Sequence, residues 1–383
     1  MNWKRFFRIR HFIKCTYFAI RDEFISRGTV GIVPKTMLIV RLEAIGDYIL
    51  VRNFLSIVKS SGKFHDFHIT LCGNVIWKDI AERFDKEFID NFIWVDKKKL
   101  ALDLTYRKSL FMHIFQQGFE YAVQPNFSRE FLWGDSVIKA SNATYRIGSV
   151  GDNANDLGVF KWISDRWFTT LIKKNAVPIF EFDRNKIFFE VLLNEKVSIK
   201  KPTFNLPNFK RIDSIILFPG AGEKQKQWSV QNFGKFIREF RKKFSNPIYI
   251  CGSKQDISLA NEIIKYAIDS EKVINYCGNT TLPQLIEFIN EAALLITNDS
   301  SALHIGAALD TPTVCLLSGR HYGRFAPYPK GTCLNLITLY PKRFQSLIQD
   351  EKKAIERTRF GSSASIDEIK VEEVMSATIH LLA

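Results

Sequence analysis

Residues 293–297 and 313–317 are apolar, strand-like runs separated by one short segment of small residues, 302–309. Strand, helix and strand in so little chain describe a βαβ unit, and a βαβ unit builds a parallel sheet. Between the first strand and the helix stands the polar turn Asn298-Asp299-Ser300-Ser301. The first turn of a helix presents unpaired N–H groups and the positive end of the helix dipole. Such a turn suits an anionic ligand, for example a diphosphate.

The same alternation recurs along the chain. Strands are predicted at 36–42, 68–72, 89–95 and 121–124, with helices at 48–59 and 75–84 between them. Residues 126–175, rich in Asn, Asp, Gly and aromatics, resist assignment, and 179–193 reads as a helix. After a proline-bearing linker, 194–212, strands at 214–218, 247–251 and 273–276 alternate with helices at 230–244 and from 257 onward. Thr280 or Thr281 is placed to cap a helix ending near 291. The expected fold is therefore α/β, with two Rossmann-like doubly wound domains facing a ligand cleft at their carboxyl strand ends. The boundaries read as a basic helix at 1–35, a first domain at 36–205 and a second at 206–383.

A length of 383 residues suits two domains, and 46% hydrophobic with 25% charged residues suits large cores. The net charge of +14 favours an acidic partner or surface. The six cysteines contain no Cys-x-x-Cys and fit reduced, buried thiols of a cytoplasmic protein. No run is long enough to span a membrane, and charges interrupt every N-terminal apolar stretch, unlike a cleaved signal. Within residues 1–30, Lys4, Arg5, Arg8, Arg10, Lys14, Arg21 and Arg27 interleave with Phe6, Ile9, Ile13, Tyr17, Ile20 and Phe24 at helical spacing. This basic amphipathic helix can lie on an anionic membrane or dock on its own domain.

Several residues stand where chemistry would face the cleft. Asp47, in the turn after the first strand, can take a proton from a hydroxyl or cap the next helix. Lys226, with Lys224 as competitor, follows the turn Pro219-Gly220-Ala221-Gly222 and can reach a phosphate or remain a solvated loop lysine. The hydroxyls and N–H groups around Ser300 and Ser301 can bond oxyanions. Asp299 would repel a phosphate, so it bonds sugar hydroxyls or holds the loop. His304 can bond a phosphate or be a core histidine. Arg320 and Arg324, beside Gly319 and Gly323, can contact a phosphate or an acidic acceptor, or form a surface loop. The chain lacks Asp-x-Asp, Gly-x-Gly-x-x-Gly, a Walker motif and a Gly-x-Ser-x-Gly elbow. His65 and His68 have no metal-site partners at ligand spacing.

Taken in order, Leu38-Ile39-Val40-Arg41-Leu42-Glu43-Ala44-Ile45-Gly46-Asp47, Phe218-Pro219-Gly220-Ala221-Gly222, Lys226-Gln227-Trp228, Asn298-Asp299-Ser300-Ser301-Ala302-Leu303-His304 and Pro327-Tyr328 resemble glycosyltransferase family 9, the heptosyltransferases of lipopolysaccharide assembly. The resemblance implies a GT-B fold and inverting transfer from a nucleotide-sugar, by family default ADP-heptose, with no required metal and no cofactor. It implies Asp47 as base, Lys226 on the donor phosphate and Asp299 on the sugar. Gly220, Gly222, Ser300, Ser301 and His304 complete the expected donor site, and Arg41, Lys224, Arg320 and Arg324 are candidate phosphate or acceptor contacts. The implied acceptor is a lipid-linked glycan at the inner face of the cytoplasmic membrane, with no nucleic acid partner. Two departures stand out. Asp299-Ser300-Ser301 replaces the family's Asp-Thr-Gly, and Gly252-Ser253-Lys254-Gln255 stands where a member can carry an acidic residue for the nucleotide ribose. The competing readings are a family-9-like transferase with another nucleotide-sugar, a Rossmann oxidoreductase, and a non-catalytic basic protein that binds a membrane or nucleic acid.

Overall fold

The computed structural model describes residues 3–23, 25, 28–173, 179–207, 211–267, 271–358 and 364–383, with side chains of the first helix described from residue 9 onward. Phe24, Arg27 and the side chains of Lys4, Arg5, Phe6 and Arg8 lie outside the described residues.

Met1–Val177 with Arg184–Ser198 forms one compact unit, and Pro178–Asp183 with Ile199–Ala383 forms the other. The first unit holds β1 (Val33–Arg41), β2 (His68–Asn74), β3 (Asn91–Val95), β4 (Phe119–Gln124), β5 (Tyr145–Ser149) and β6 (Thr170–Ile172) in the order β3-β2-β1-β4-β5-β6. The second holds β7 (Ile212–Phe218), β8 (Ile248–Ile250), β9 (Val273–Asn275), β10 (Ala292–Asn298), β11 (Thr313–Leu316) and β12 (Leu336–Leu339) in the order β12-β11-β10-β7-β8-β9. Every strand pair is parallel. Counted from its own first strand, each sheet follows the Rossmann order 3-2-1-4-5-6. The direction of sheet growth reverses between β1 and β4 in one unit and between β7 and β10 in the other. Ligands of open α/β sheets collect beyond the carboxyl ends of such strands.

The central strands are buried from both faces, which explains their unbroken apolar runs. In the second unit Ile215, Leu217, Leu294 and Ile296 pack against Trp228, Phe233, Phe236 and Phe240. The helix Ser301–Leu309 sits tightly on its strands. A Cβ at Gly306 would stand 2.5 Å from Thr313 Oγ1 and 2.9 Å from Leu295 Cδ2. Small residues in this helix are therefore a packing requirement.

Two expected boundaries need correction. The segment at 178–183 belongs with the second unit, because Glu181 Oε2 accepts from Arg324 Nε (2.9 Å) and Phe180 packs on Tyr328. The second unit resumes at residue 199, not 206, and Lys201 Nζ is fixed by the Ala307 carbonyl (3.0 Å) and Asp310 (2.5 Å).

The N-terminal helix, Trp3–Asp22, is not a separate unit as expected, because it packs into the first one. Cys15 and Phe18 enter a cluster with Phe131, Leu132 and Phe160. Arg107, fully buried, donates to both carboxylate oxygens of Asp22 (2.8 and 2.5 Å) and to the Leu132 carbonyl (2.7 Å). The docked face is not the anticipated one. Ile9, Ile13, Tyr17 and Ile20 stay exposed, Ile13 at 62%. The helix is apolar on two sides, and one pattern of spacing hid the other. Among the described residues no helix is long and apolar enough to cross a membrane.

Candidate active site

In the second unit, β10 ends at Asn298, whose side chain is fully buried and ties three motifs together. Its Nδ2 donates to the Pro219 carbonyl (2.7 Å), and its Oδ1 accepts from the Trp228 N–H (3.3 Å). The glycine turn after β7 and the loop carrying Lys226 are thereby both fastened to the start of the helix. Lys226 Nζ lies 2.8 Å from Asp299 Oδ2, with both side chains about one-fifth exposed. An ammonium has three donors, so one bond to Asp299 aims the group and leaves two others.

Ser300 caps the helix, its Oγ accepting from the Ala302 N–H (3.2 Å) and sharing a hydrogen bond with Thr297 Oγ1 (3.0 Å). Ser301 is the first helical residue. His304, one turn on, is buried, and its Nδ1 shares a 2.9 Å hydrogen bond with Tyr328 Oη. Burial pushes the imidazole down to about 4, outweighing the nearby Asp299 charge, so His304 is neutral near pH 7.

Gly220 lies where a Cβ would meet the Asp256 carboxylate at 2.9 Å, whereas Gly222 is exposed with open space around it. Asp256 itself was missed from sequence. Its carboxylate folds back onto the end of β8, accepting from Ser253 N–H and Oγ–H (both 2.7 Å). An acidic group thus stands beyond β8 after all, one residue later than the segment 252–255. The signal available in sequence was the Ser-x-x-Asp capping box.

Lys224 is exposed. Arg320 pairs with Glu223, and Arg324 with Glu181, so both guanidinium groups have carboxylate partners within their own unit.

In the first unit the turn after β1 is braced from below. Arg41, nearly fully buried, donates to Asn126 Oδ1 and to the Asp47 carbonyl (3.2 Å), and its Nε lies 3.2 Å from Glu43 Oε2. Arg41 therefore holds the turn instead of reaching outward to a phosphate. Asp47 lies within the five-residue helix Ile45–Ile49, and the capping position falls to Ala44, with no side-chain cap. Nearby, Lys97 Nζ pairs with Glu130 Oε2 at 2.5 Å. Burial raises the Glu43 and Glu130 carboxyls above the usual range. Arg41 pulls the first back, and Lys97 the second, while the charges of Asp156 and Asp47 add to the rise at Glu130. Glu130 and Lys97 gave no motif in sequence. They meet because the ends of β3 and β4 fall on either side of β1.

Comparison with known proteins fits this arrangement. A profile of glycosyltransferase family 9 (heptosyltransferase) matches residues 166–353. Lipopolysaccharide heptosyltransferase 3 of Escherichia coli K12 is 25% identical over 44% of this chain and 46% of its own length. The aligned stretch thus spans about half of that relative. The solved family 9 glycosyl transferase of Veillonella parvula superposes with a TM-score of 0.70 at 19% identity, over 92% of this chain and 98% of that one. The Escherichia coli ADP-heptose lipopolysaccharide heptosyltransferase II gives 0.68 at 15% identity, over 91% and 98%. The fold is GT-B, α/β with two Rossmann-like units. Residues 166–353 thus resemble glycosyltransferase family 9, and the whole chain shares the fold of solved heptosyltransferases.

Proposed function

We propose that the chain is an inverting glycosyltransferase that moves a sugar from a nucleotide-sugar, with ADP-heptose as donor, to a hydroxyl of lipopolysaccharide core or a related lipid-linked glycan. The observation that carries this reading is the convergence of Lys226, Asp299 and the first turn of the helix Ser301–Leu309 at the carboxyl ends of β7 and β10. Negative charge grows on the departing diphosphate as the sugar–oxygen bond breaks. Lys226 and the positive end of the helix dipole are oriented before that charge forms, which is how preorganised dipoles lower a barrier. Asp299 aims the ammonium and bonds the sugar hydroxyls. Asp47 takes the proton of the acceptor hydroxyl as that oxygen attacks the anomeric carbon from the face opposite the leaving group. The proposed transfer needs no metal or cofactor, since protein groups stabilise the leaving diphosphate.

The lipid-linked acceptor suits a protein that works on an anionic membrane surface. Ile9, Phe12, Ile13, Tyr17 and Ile20 form an exposed apolar stripe on the docked N-terminal helix, with Arg10 and Arg21 exposed beside it. A groove of about 610 Å³ continues the stripe toward Leu102. Charge and apolar area together favour interfacial binding. Substituting Ile13 and Tyr17 by Glu should weaken sedimentation with anionic liposomes, and unchanged sedimentation contradicts this part.

Thermal shift against ADP-heptose, GDP-sugars and UDP-sugars tests the donor. A ligand at a hundred times its Kd stabilises the folded state by about 2.7 kcal/mol. A response to ADP-heptose alone supports the reading. A response to another nucleotide-sugar favours a different donor, for which the extra side chain of Ser301 at the helix start is the structural reason. No response to any of them contradicts it.

A further inference from the structure

Away from the transfer chemistry, the first unit gathers three metal-ligating side chains. His11 and Cys15 are four residues apart on the N-terminal helix, which puts them on one face. Asp156 comes to the same point from the segment before the helix Gly158–Asp165. Cys15 Sγ lies 3.4 Å from His11 Nε2, and His11 Nε2 lies 2.8 Å from Asp156 Oδ1. All three donor atoms fall within 4.8 Å of one another.

We propose that His11, Cys15 and Asp156 form a zinc site that pins the N-terminal helix to its unit. Zinc–sulfur and zinc–nitrogen bonds of about 2.3 and 2.0–2.1 Å at a tetrahedral angle separate S and N by roughly 3.5 Å. The observed S–N separation already matches. The N–O edge of such a site is roughly 3.3 Å, about half an ångström wider than observed, and its S–O edge is roughly 3.5 Å, so the carboxylate swings to meet both. Asp156 is oriented for this from behind, because its other oxygen accepts the Phe131 N–H at 2.5 Å. Metal-ligating carboxylates are commonly held in this way.

The surroundings fit a site closed on three sides. Cys15 is fully buried, the Asp156 side chain is 6% exposed and the His11 side chain 29%. Phe18, Phe131, Leu132 and Phe160 line it. Solvent reaches only the His11 edge, where a water would supply the fourth ligand. Imidazole, thiolate and carboxylate together suit zinc. One thiolate and one carboxylate balance a divalent cation, leaving a neutral site in an apolar shell. Zinc binds the thiolate, so Cys15 must give up its proton on binding. On binding, the S–H bond breaks, the proton passes to solvent and the sulfur lone pair goes to zinc, with no change of oxidation state.

The test uses the full chain, produced without a polyhistidine tag, stripped with chelator and titrated with zinc and with cobalt. One equivalent should bind with proton release and a rise in Tm. Cobalt should give a thiolate charge-transfer band and the intense ligand-field bands of a four-coordinate site. Asp156→Asn keeps an acceptor for the Phe131 N–H, so its fold should survive while zinc affinity falls by at least about tenfold. Cys15→Ser should abolish the charge-transfer band. Should that variant not fold, the wild-type cobalt spectrum and Asp156→Asn decide. Absence of the band in the wild-type chain, or zinc affinity unchanged in Asp156→Asn, overturns the proposal.

Discussion

The two units repeat one strand order yet differ in what they place at the point of reversal. Beyond β1 and β4 the first unit gathers charge: Arg41 pairs with Glu43 and Lys97 with Glu130, and the Asp47 charge is felt at Glu130. Beyond β7 and β10 the second gathers backbone: a glycine turn, a capped helix start and one lysine paired with one carboxylate. In the proposed function the first of these places moves a proton and the second holds an anion. The contrast extends to how each unit is built. The first relies on buried ion pairs such as Arg107–Asp22, the second on close backbone approach at Gly306.

Asp22→Ala tests the first half of that contrast most severely. It leaves Arg107 charged and unpaired in the core, so denaturant unfolding should report a loss of about 3–5 kcal/mol. A loss below about 1 kcal/mol would remove ion pairing from the account of the first unit. Lys226→Ala addresses the second unit. Removing a preorganised donor from a developing oxyanion lowers kcat by about 10²–10³, or about 3–4 kcal/mol, while stability should hardly change. A variant with normal kcat would return Lys226 to the role of loop lysine.

His304 gives a pH signature confined to the second unit. The unfolded chain binds the proton near 6.5, the folded chain only near about 4, so protonation favours unfolding. Stability should fall by up to about 3 kcal/mol as pH drops from about 6.5 to about 4, and His304→Gln should flatten that slope. An equally steep slope in the variant would assign it to carboxylates instead. Gly306→Val is the mildest probe. It should cost about 1–3 kcal/mol by overpacking against Thr313 and Leu295, and a Tm equal to that of the parent chain would show that the helix can retreat.

The second unit was easier to read from sequence than the first, and the reason is physical. Its central strands are covered on both faces and its turns are marked by Gly220, Gly222 and the Asn298–Ser301 run, so the period and the site coincide. Residues 126–175 of the first unit obey no apolar period. Their elements are held by buried charge, with Arg129 and Asp135 3.3 Å apart, and include the short strands β5 and β6, of which β6 is the sheet edge. Glu130 and Lys97 lie far apart in sequence and meet only through the order of the strands. The N-terminal helix shows the complementary limit, because Ile9, Ile13, Tyr17 and Ile20 gave a clean stripe that is not the docked one. Asp256 was one residue outside the segment where an acid was sought.

In the proposed function Asp47 is the base that takes the acceptor's proton. The most direct measurement is Asp47→Ala assayed for both donor affinity and sugar transfer. The account predicts donor affinity within about twofold of the parent chain and a turnover lower by about 10²–10⁴-fold. Turnover equal to that of the parent chain would contradict it.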